Sequence, residues 1–183
     1  MTKDFTEKTL SSERIYEGCI INLRVDTVQL PDGGQSRREI VEHRGAVAIV
    51  PLLDDGRVIL VKQFRKTAQK HLFEIPAGTL DANESPEACA LRELLEETGY
   101  HAGKLTKLAA FYLAPGYSTE LLHTYLARSL TPSEQHLEAD EFAEPITVSL
   151  EEALQWIDEG RIQDAKTISA LLITWRRQVW KPR

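Results

Sequence analysis

Between Gly78 and Tyr100 the chain reads G-T-L-D-A-N-E-S-P-E-A-C-A-L-R-E-L-L-E-E-T-G-Y, and within it Glu93, Glu96 and Glu97 recur at spacings of three and four. An α-helix advances about 100° per residue, so these three carboxylates share a face, with Leu91, Leu95 and Ala88 on the opposite side and Leu94 on the flank. The pattern predicts a helix with an apolar back and an acidic front, with Ser85 as N-cap, Pro86 at the first helical position and Gly99 as its stop. Like charges at these spacings cost roughly 0.2 to 0.5 kcal/mol per pair in a bare helix. The front is therefore disfavoured unless water or a cation screens it. Mg²⁺ is the natural counterion, because it takes oxygen ligands and keeps places for water and phosphate.

Strand grammar surrounds this segment. Leu23 to Leu30 partly alternates, Pro31-Asp32-Gly33-Gly34 supplies a turn, and Arg37 to His43 is a second extended run, so the first third reads as a β arm. Ala46 to Val50 is wholly apolar, as in a strand buried on both faces, and the Asp54-Asp55-Gly56 turn before Arg57 to Phe64 suggests a central hairpin. Leu72 to Pro76 leads into the acidic helix. Leu105 to Leu113 and Glu120 to Ser129 are two further strands joined by the tight loop Ala114 to Ser118, and Thr131 to Pro145 reads as a polar, mobile loop.

Ser149 and Glu152 form a capping box before Leu150, Ala153, Leu154 and Ile157, with Gly160 as the stop, and Asp164 can cap a last helix. Ile168, Leu171, Leu172, Trp175 and Val179 form the stripe by which that helix is expected to pack on the sheet. Strands, helix, strands and helices in this order predict an α/β fold, a mixed sheet covered by helices.

A length of 183 residues suits one domain with an extra N-terminal arm, divided here as 1–44 and 45–183. With 28 acidic and 22 basic residues the net charge is −6, which provides no general footprint for nucleic acid. An anionic substrate then needs a metal or placed arginines. No apolar run has the roughly 18 to 20 residues of a membrane span, the N-terminus carries no apolar signal core, and a cytoplasmic location is expected. Cys19 and Cys89 make neither a disulfide scaffold nor a zinc spacing. Cys89 reads as a small buried filler, and Trp156, Trp175 and Trp180 as packing or subunit-contact residues.

The spacing Gly78, Glu84, Arg92-Glu93-Leu94, Glu96-Glu97, Gly99-Tyr100 resembles the Nudix box at every defined position but the last, where an aromatic replaces a bulky aliphatic. The resemblance implies an α/β/α sandwich and a hydrolase that cleaves a nucleoside diphosphate linked to another group, using divalent metal, Mg²⁺ or Mn²⁺. It implies Glu93, Glu96, Glu97 and the Ala77 carbonyl as metal ligands. Arg92 is suited to orienting a glutamate by a bidentate pair. For the base that accepts the proton of the attacking water, the resemblance points to the loop Leu137 to Phe142, with Glu141 first and Glu138 second.

Leu113-Ala114-Pro115-Gly116-Tyr117-Ser118, with Pro115 fifteen residues past Tyr100, resembles the ADP-ribose pyrophosphatase subgroup. So do Lys62-Gln63-Phe64-Arg65 and Glu74-Ile75-Pro76-Ala77-Gly78, where the arginine matching Arg65 holds substrate phosphates. An aromatic that subgroup often carries near Ile21, used against adenine, is absent here, which keeps a broader nucleoside diphosphate sugar substrate such as GDP-mannose in view. A non-catalytic nucleotide sensor would carry degraded box carboxylates, and none is degraded. The subgroup also implies a homodimer built on the N-terminal strands, with Arg37, Arg38 and Arg44 as candidates for cross-subunit phosphate contacts.

Overall fold

The computed structural model describes residues 3–137 and 141–179, and Glu138, Asp140 and Trp180 lie outside them. Two compact units divide the chain: Met1–Gly45 with Tyr112–Leu121, and Ala46–Phe111 with Leu122–Arg183.

The first unit is an antiparallel sheet of β1 (Lys8–Glu17), β2 (Ile21–Gln29) and β3 (Gln35–His43), in that order. The β2–β3 turn closes as expected. The Gly33 amide donates to Leu30 O at 2.9 Å, and its φ of 89° is a conformation glycine adopts without a Cβ penalty. β1 was not expected. All ten of its residues are exposed, so it lacks the alternation by which half-buried strands are read. The loop 113–120 docks on β3, where the Val41 amide donates to Tyr117 O and the Thr119 amide to Val41 O.

The second unit holds two sheets. In one, β4 (Ala46–Pro51) lies between β7 (Ala77–Thr79), antiparallel to it, and β9 (Leu121–Pro132), parallel to it, with β8 (Tyr100–Tyr112) beyond. The other runs β10 (Ala143–Ser149), β5 (Arg57–Arg65), β6 (Lys70–Glu74). The expected β4–β5 hairpin does not form. The turn is there, with Leu53 N–H on Arg57 O at 2.8 Å, but both edges of β4 are taken and the two strands meet only at the Leu52–Val58 bridge. The expected loop from Thr131 to Pro145 is also corrected, because β9 runs to Pro132 and β10 begins at Ala143. Pro145 fits β10 because that strand is a sheet edge.

β4 is buried on both faces. Val47 and Ile49 join Tyr125, Ala127 and the helix α1 (Pro86–Thr98), while Ala46, Ala48 and Val50 face a larger core with Leu60, Ile75, Leu122 and the helices α2 (Leu150–Asp158) and α3 (Ala165–Val179). Each fully buried large aliphatic contributes about 1.5–3 kcal/mol. The expected packing stripe of α3 is rotated: Thr167, Ala170, Leu171 and Thr174 are buried, whereas Leu172 and Trp175 are exposed. Helices thus cover a mixed sheet. No helix among the described residues is long and apolar enough to cross a membrane.

Candidate active site

α1 begins and ends where its caps dictate. Ser85 Oγ accepts from the Ala88 amide at 3.2 Å, Pro86 opens the first turn, and Gly99 at φ 71° sends its amide to Leu95 O. The face it buries differs from the expected apolar back. Leu91 is 43% exposed and Ala88 is exposed, while Cys89, Ala90, Glu93, Leu94 and Glu97 are buried. At about 100° per residue these five form one continuous arc. The helix therefore packs through the edge that carries Glu93 and Glu97, and Glu96 lies half-buried at the margin.

Gly78 on β7 makes that packing possible. A Cβ there would lie 1.8 Å from Glu93 Oε1 and 2.0 Å from its Cδ, so the Glu93 side chain crosses directly over the glycine backbone. Close approach, rather than a turn, explains this residue.

Arg92 holds the outer carboxylates. Its Nε and Nη2 form a bidentate pair with Glu84 at 3.0 and 3.1 Å, and Nη1 donates to Glu93 at 2.7 Å and to Glu96 at 2.9 Å. The guanidinium holds the Glu84 carboxyl far below its usual range, at about 2. Cys89 fills the space beneath, its Sγ 3.6 Å from Thr79 O, and burial pushes the thiol up to about 12.

Glu93 and Glu97 are the strained members. Burial pushes Glu93 up to about 7 against the pull of Arg92, with Glu96 and Glu141 adding repulsion. Burial, then Glu93 and Glu141, push Glu97 up to about 8, and its hydrogen-bond partner is the Ala77 amide at 3.3 Å. The two titrate as a pair. Arg65, Glu97 and Glu141 line one cavity of about 300 Å³ with Gln63, Phe64, Phe142 and Ala143. Arg65 pairs bidentately with Glu74, Nε to Oε1 and Nη2 to Oε2, both at 2.8 Å.

Ala77, Arg65, Arg92, Glu93, Glu96, Glu97 and Glu141 thus fall in one unit, and Arg38 and Pro115 in the other. Arg38 is paired with Glu7, while Pro115 is exposed in a turn closed by the Tyr117 and Ser118 amides on Ala114 O. Sequence reasoning gave no role to Glu74 and Lys166, which form an ion pair across 92 positions. No periodicity or motif signals a pair so distant.

Among the described residues no three His, Cys, Asp or Glu side chains form a ready-made cation cage. The donor chemistry nonetheless fits a hard divalent ion. Glu97 is a buried carboxylate whose hydrogen bond from the Ala77 amide is long, at 3.3 Å, and Glu93 and Glu96 add further carboxylate oxygens on the same helix.

Known proteins carry the same layout. A NUDIX domain model matches residues 42–171, and a model for the nucleoside diphosphate sugar hydrolase N-terminal domain matches 7–41. The chain is 48% identical over 171 residues to an ADP-ribose pyrophosphatase of Bacillus subtilis (strain 168), covering 92% of each. It is 44% identical to a methanol dehydrogenase activator of Bacillus methanolicus, covering 93% and 94%, and 37% identical over 75% of its length to a GDP-mannose pyrophosphatase of Yersinia pestis (strain Pestoides F), covering 74% of that protein. An ADP compounds hydrolase crystal structure, 23% identical, superposes with a TM-score of 0.84 over 97% of this chain and 98% of that one. With its carboxylate helix seated on a glycine as the box spacing requires, and with the domain model spanning most of its length, the chain belongs to the Nudix hydrolase family.

Proposed function

We propose that this Nudix hydrolase cleaves the diphosphate of ADP-ribose, giving AMP and ribose 5-phosphate, with Mg²⁺ as its metal and Mn²⁺ as a substitute. The observation that carries the reading is the cavity where an arginine, a buried carboxylate with no ion pair among the described residues and a loop glutamate meet. Arg65 grips a phosphate there, and its Nη1 remains after Nε and Nη2 are given to Glu74. Glu93, Glu96, Glu97 and the Ala77 carbonyl are the groups that hold the cation, which when bound neutralises phosphate charge and lowers the pKa of water. Glu141 accepts the proton as water adds to phosphorus and the bridging oxygen departs. Arg92 touches no substrate in this reading; it fixes Glu84, Glu93 and Glu96.

Pro115 is a substrate-binding residue by its resemblance to the subgroup, and Arg38, with Arg37 and Arg44, is a candidate for phosphate contact across a homodimer built on residues 1–44. Support for the dimer is the apolar surface of the first unit, where Leu10, Ile15 and Tyr16 on β1 and Ile20 and Ile21 beside it are exposed. The Nudix domain proper is 45–183. Both cysteines are free, in keeping with a cytoplasmic enzyme.

Product analysis with ADP-ribose and Mg²⁺ tests the assignment. AMP and ribose 5-phosphate are expected. Good turnover of GDP-mannose with none of ADP-ribose would instead establish the broader sugar-nucleotide reading, which the GDP-mannose pyrophosphatase relative favours.

A further inference from the structure

The first turn of α3 is welded to the strand end that precedes Ala77. Asp164 caps the helix by accepting from the Thr167 amide at 3.0 Å and from its hydroxyl at 2.5 Å, and that hydroxyl accepts from the Ile75 amide at 2.9 Å. Between them Lys166 bridges Asp164, at 3.0 Å, and Glu74. Glu74 is almost wholly buried and holds Arg65 with both oxygens, so Oε2 serves two cations at once. Lys166 is itself mostly buried.

This arrangement solves a problem particular to the site. Arg65 and Glu97 line the same cavity, and Arg65 feels the Glu97 charge across it. An untethered guanidinium would fold onto that carboxylate, removing itself from the phosphate and blocking the oxygen meant for the cation. Glu74 prevents this by supplying a stronger, two-point anchor through Nε and Nη2, and Lys166 fixes the anchor by also binding its Oε2. Loss of Lys166 leaves Glu74 free to turn and Arg65 free to follow.

We propose that Glu74 and Lys166 are positioning residues that keep Arg65 directed at the substrate diphosphate and away from Glu97. The proposal rests on the reading of Arg65 as the phosphate-gripping residue. Lys166 never touches substrate in this scheme. Its influence passes through two ion pairs from the C-terminal helix into the cavity, which predicts a loss of affinity rather than of chemistry.

The variants Arg65→Gln, Lys166→Met, Glu74→Gln and the double variant R65Q/K166M test this by KM and kcat, and by metal-free titration with adenosine 5′-(α,β-methylene)diphosphate. R65Q is expected to raise KM and Kd about tenfold, K166M and E74Q about fivefold with kcat changed less than about twofold, and the double variant no more than R65Q alone. Lys166→Arg should restore most of the affinity. If R65Q leaves Kd unchanged, the reading of Arg65 fails and the proposal with it. If R65Q weakens binding while K166M lowers the melting temperature only, Arg65 stands and the positioning role falls. Additive losses in the double variant would likewise overturn it, since Lys166 would then act independently of Arg65. Should E74Q fail to fold, K166M and the double variant decide the matter.

Discussion

Glu74 and Glu97 are the same residue type, both almost completely buried, at 1% and 5% exposure, and they are opposites. Burial opposes the charge of both. At Glu74, hydrogen bonds and charges from Arg65 and Lys166 outweigh that cost and hold its carboxyl below the usual range. At Glu97 the neighbours Glu93 and Glu141 add to the cost, and the carboxyl is pushed up to about 8. A buried carboxylate supplied with cations by its own fold is part of a scaffold. One without such an ion pair among the described residues, at the wall of a cavity, is suited to the metal-binding role proposed for it.

Replacing each glutamate by its neutral isostere should separate the two most sharply. Glu97→Gln is expected to cut kcat/KM about a thousandfold, because it removes the charge and one oxygen of a proposed metal ligand, while leaving metal-free thermal stability unchanged or raised. Glu74→Gln should lower metal-free stability by about 3 kcal/mol in denaturant unfolding, since it strands Lys166 and Arg65. Equal stability losses in the two variants would erase the distinction.

Gly78→Ala comes next. The added Cβ must displace Glu93, whose Oε1 would lie 1.8 Å away, and a shift of about 1 Å at a proposed metal ligand is expected to cost on the order of a hundredfold in turnover. Steady-state kinetics with saturating Mg²⁺ checks it. Wild-type rates would show that Glu93 need not lie where it does.

The last difference is a slope with pH. Glu93 at about 7 and Glu97 at about 8 are raised from 4.5, so between these values the native state binds more protons than the unfolded chain, and metal-free stability falls as pH rises from about 5 to about 8. Glu74 has the opposite sign: its contribution is complete above the unfolded value and is lost as pH falls through the lowered folded one. Melting temperatures from pH 4 to 9 should therefore decline on the alkaline side without metal and flatten with Mg²⁺. A flat profile without metal would mean neither carboxylate is strained.

Much of this was legible in the residues. Ser85, Pro86 and Gly99 fixed α1 to the residue because capping is local chemistry, and the box spacing named the carboxylates. The buried face of α1 was misread because Leu91, Leu95 and Ala88 were taken as its apolar back; Ala88 and Leu91 are exposed, and Glu93 and Glu97 are buried with Leu94 and Cys89. β1 and β10 escaped because one is exposed throughout and the other is an edge carrying Pro145, so neither shows alternation. The β4–β5 hairpin was expected from a real turn, but which strands pair is settled by who occupies each edge of β4, a tertiary matter. Glu74 with Lys166 was invisible for the same reason.

Burial raises both Glu93 and Glu97, so a divalent cation bound at the proposed metal site is expected to displace protons from this pair. Calorimetric titration of Mn²⁺ into the wild type and into E97Q at pH 7, in two buffers of different ionisation enthalpy, reads that exchange directly. Proton release on binding to the wild type, with both the release and most of the affinity lost in E97Q, is the expected result. Equal affinity in the two proteins with no proton released would contradict it.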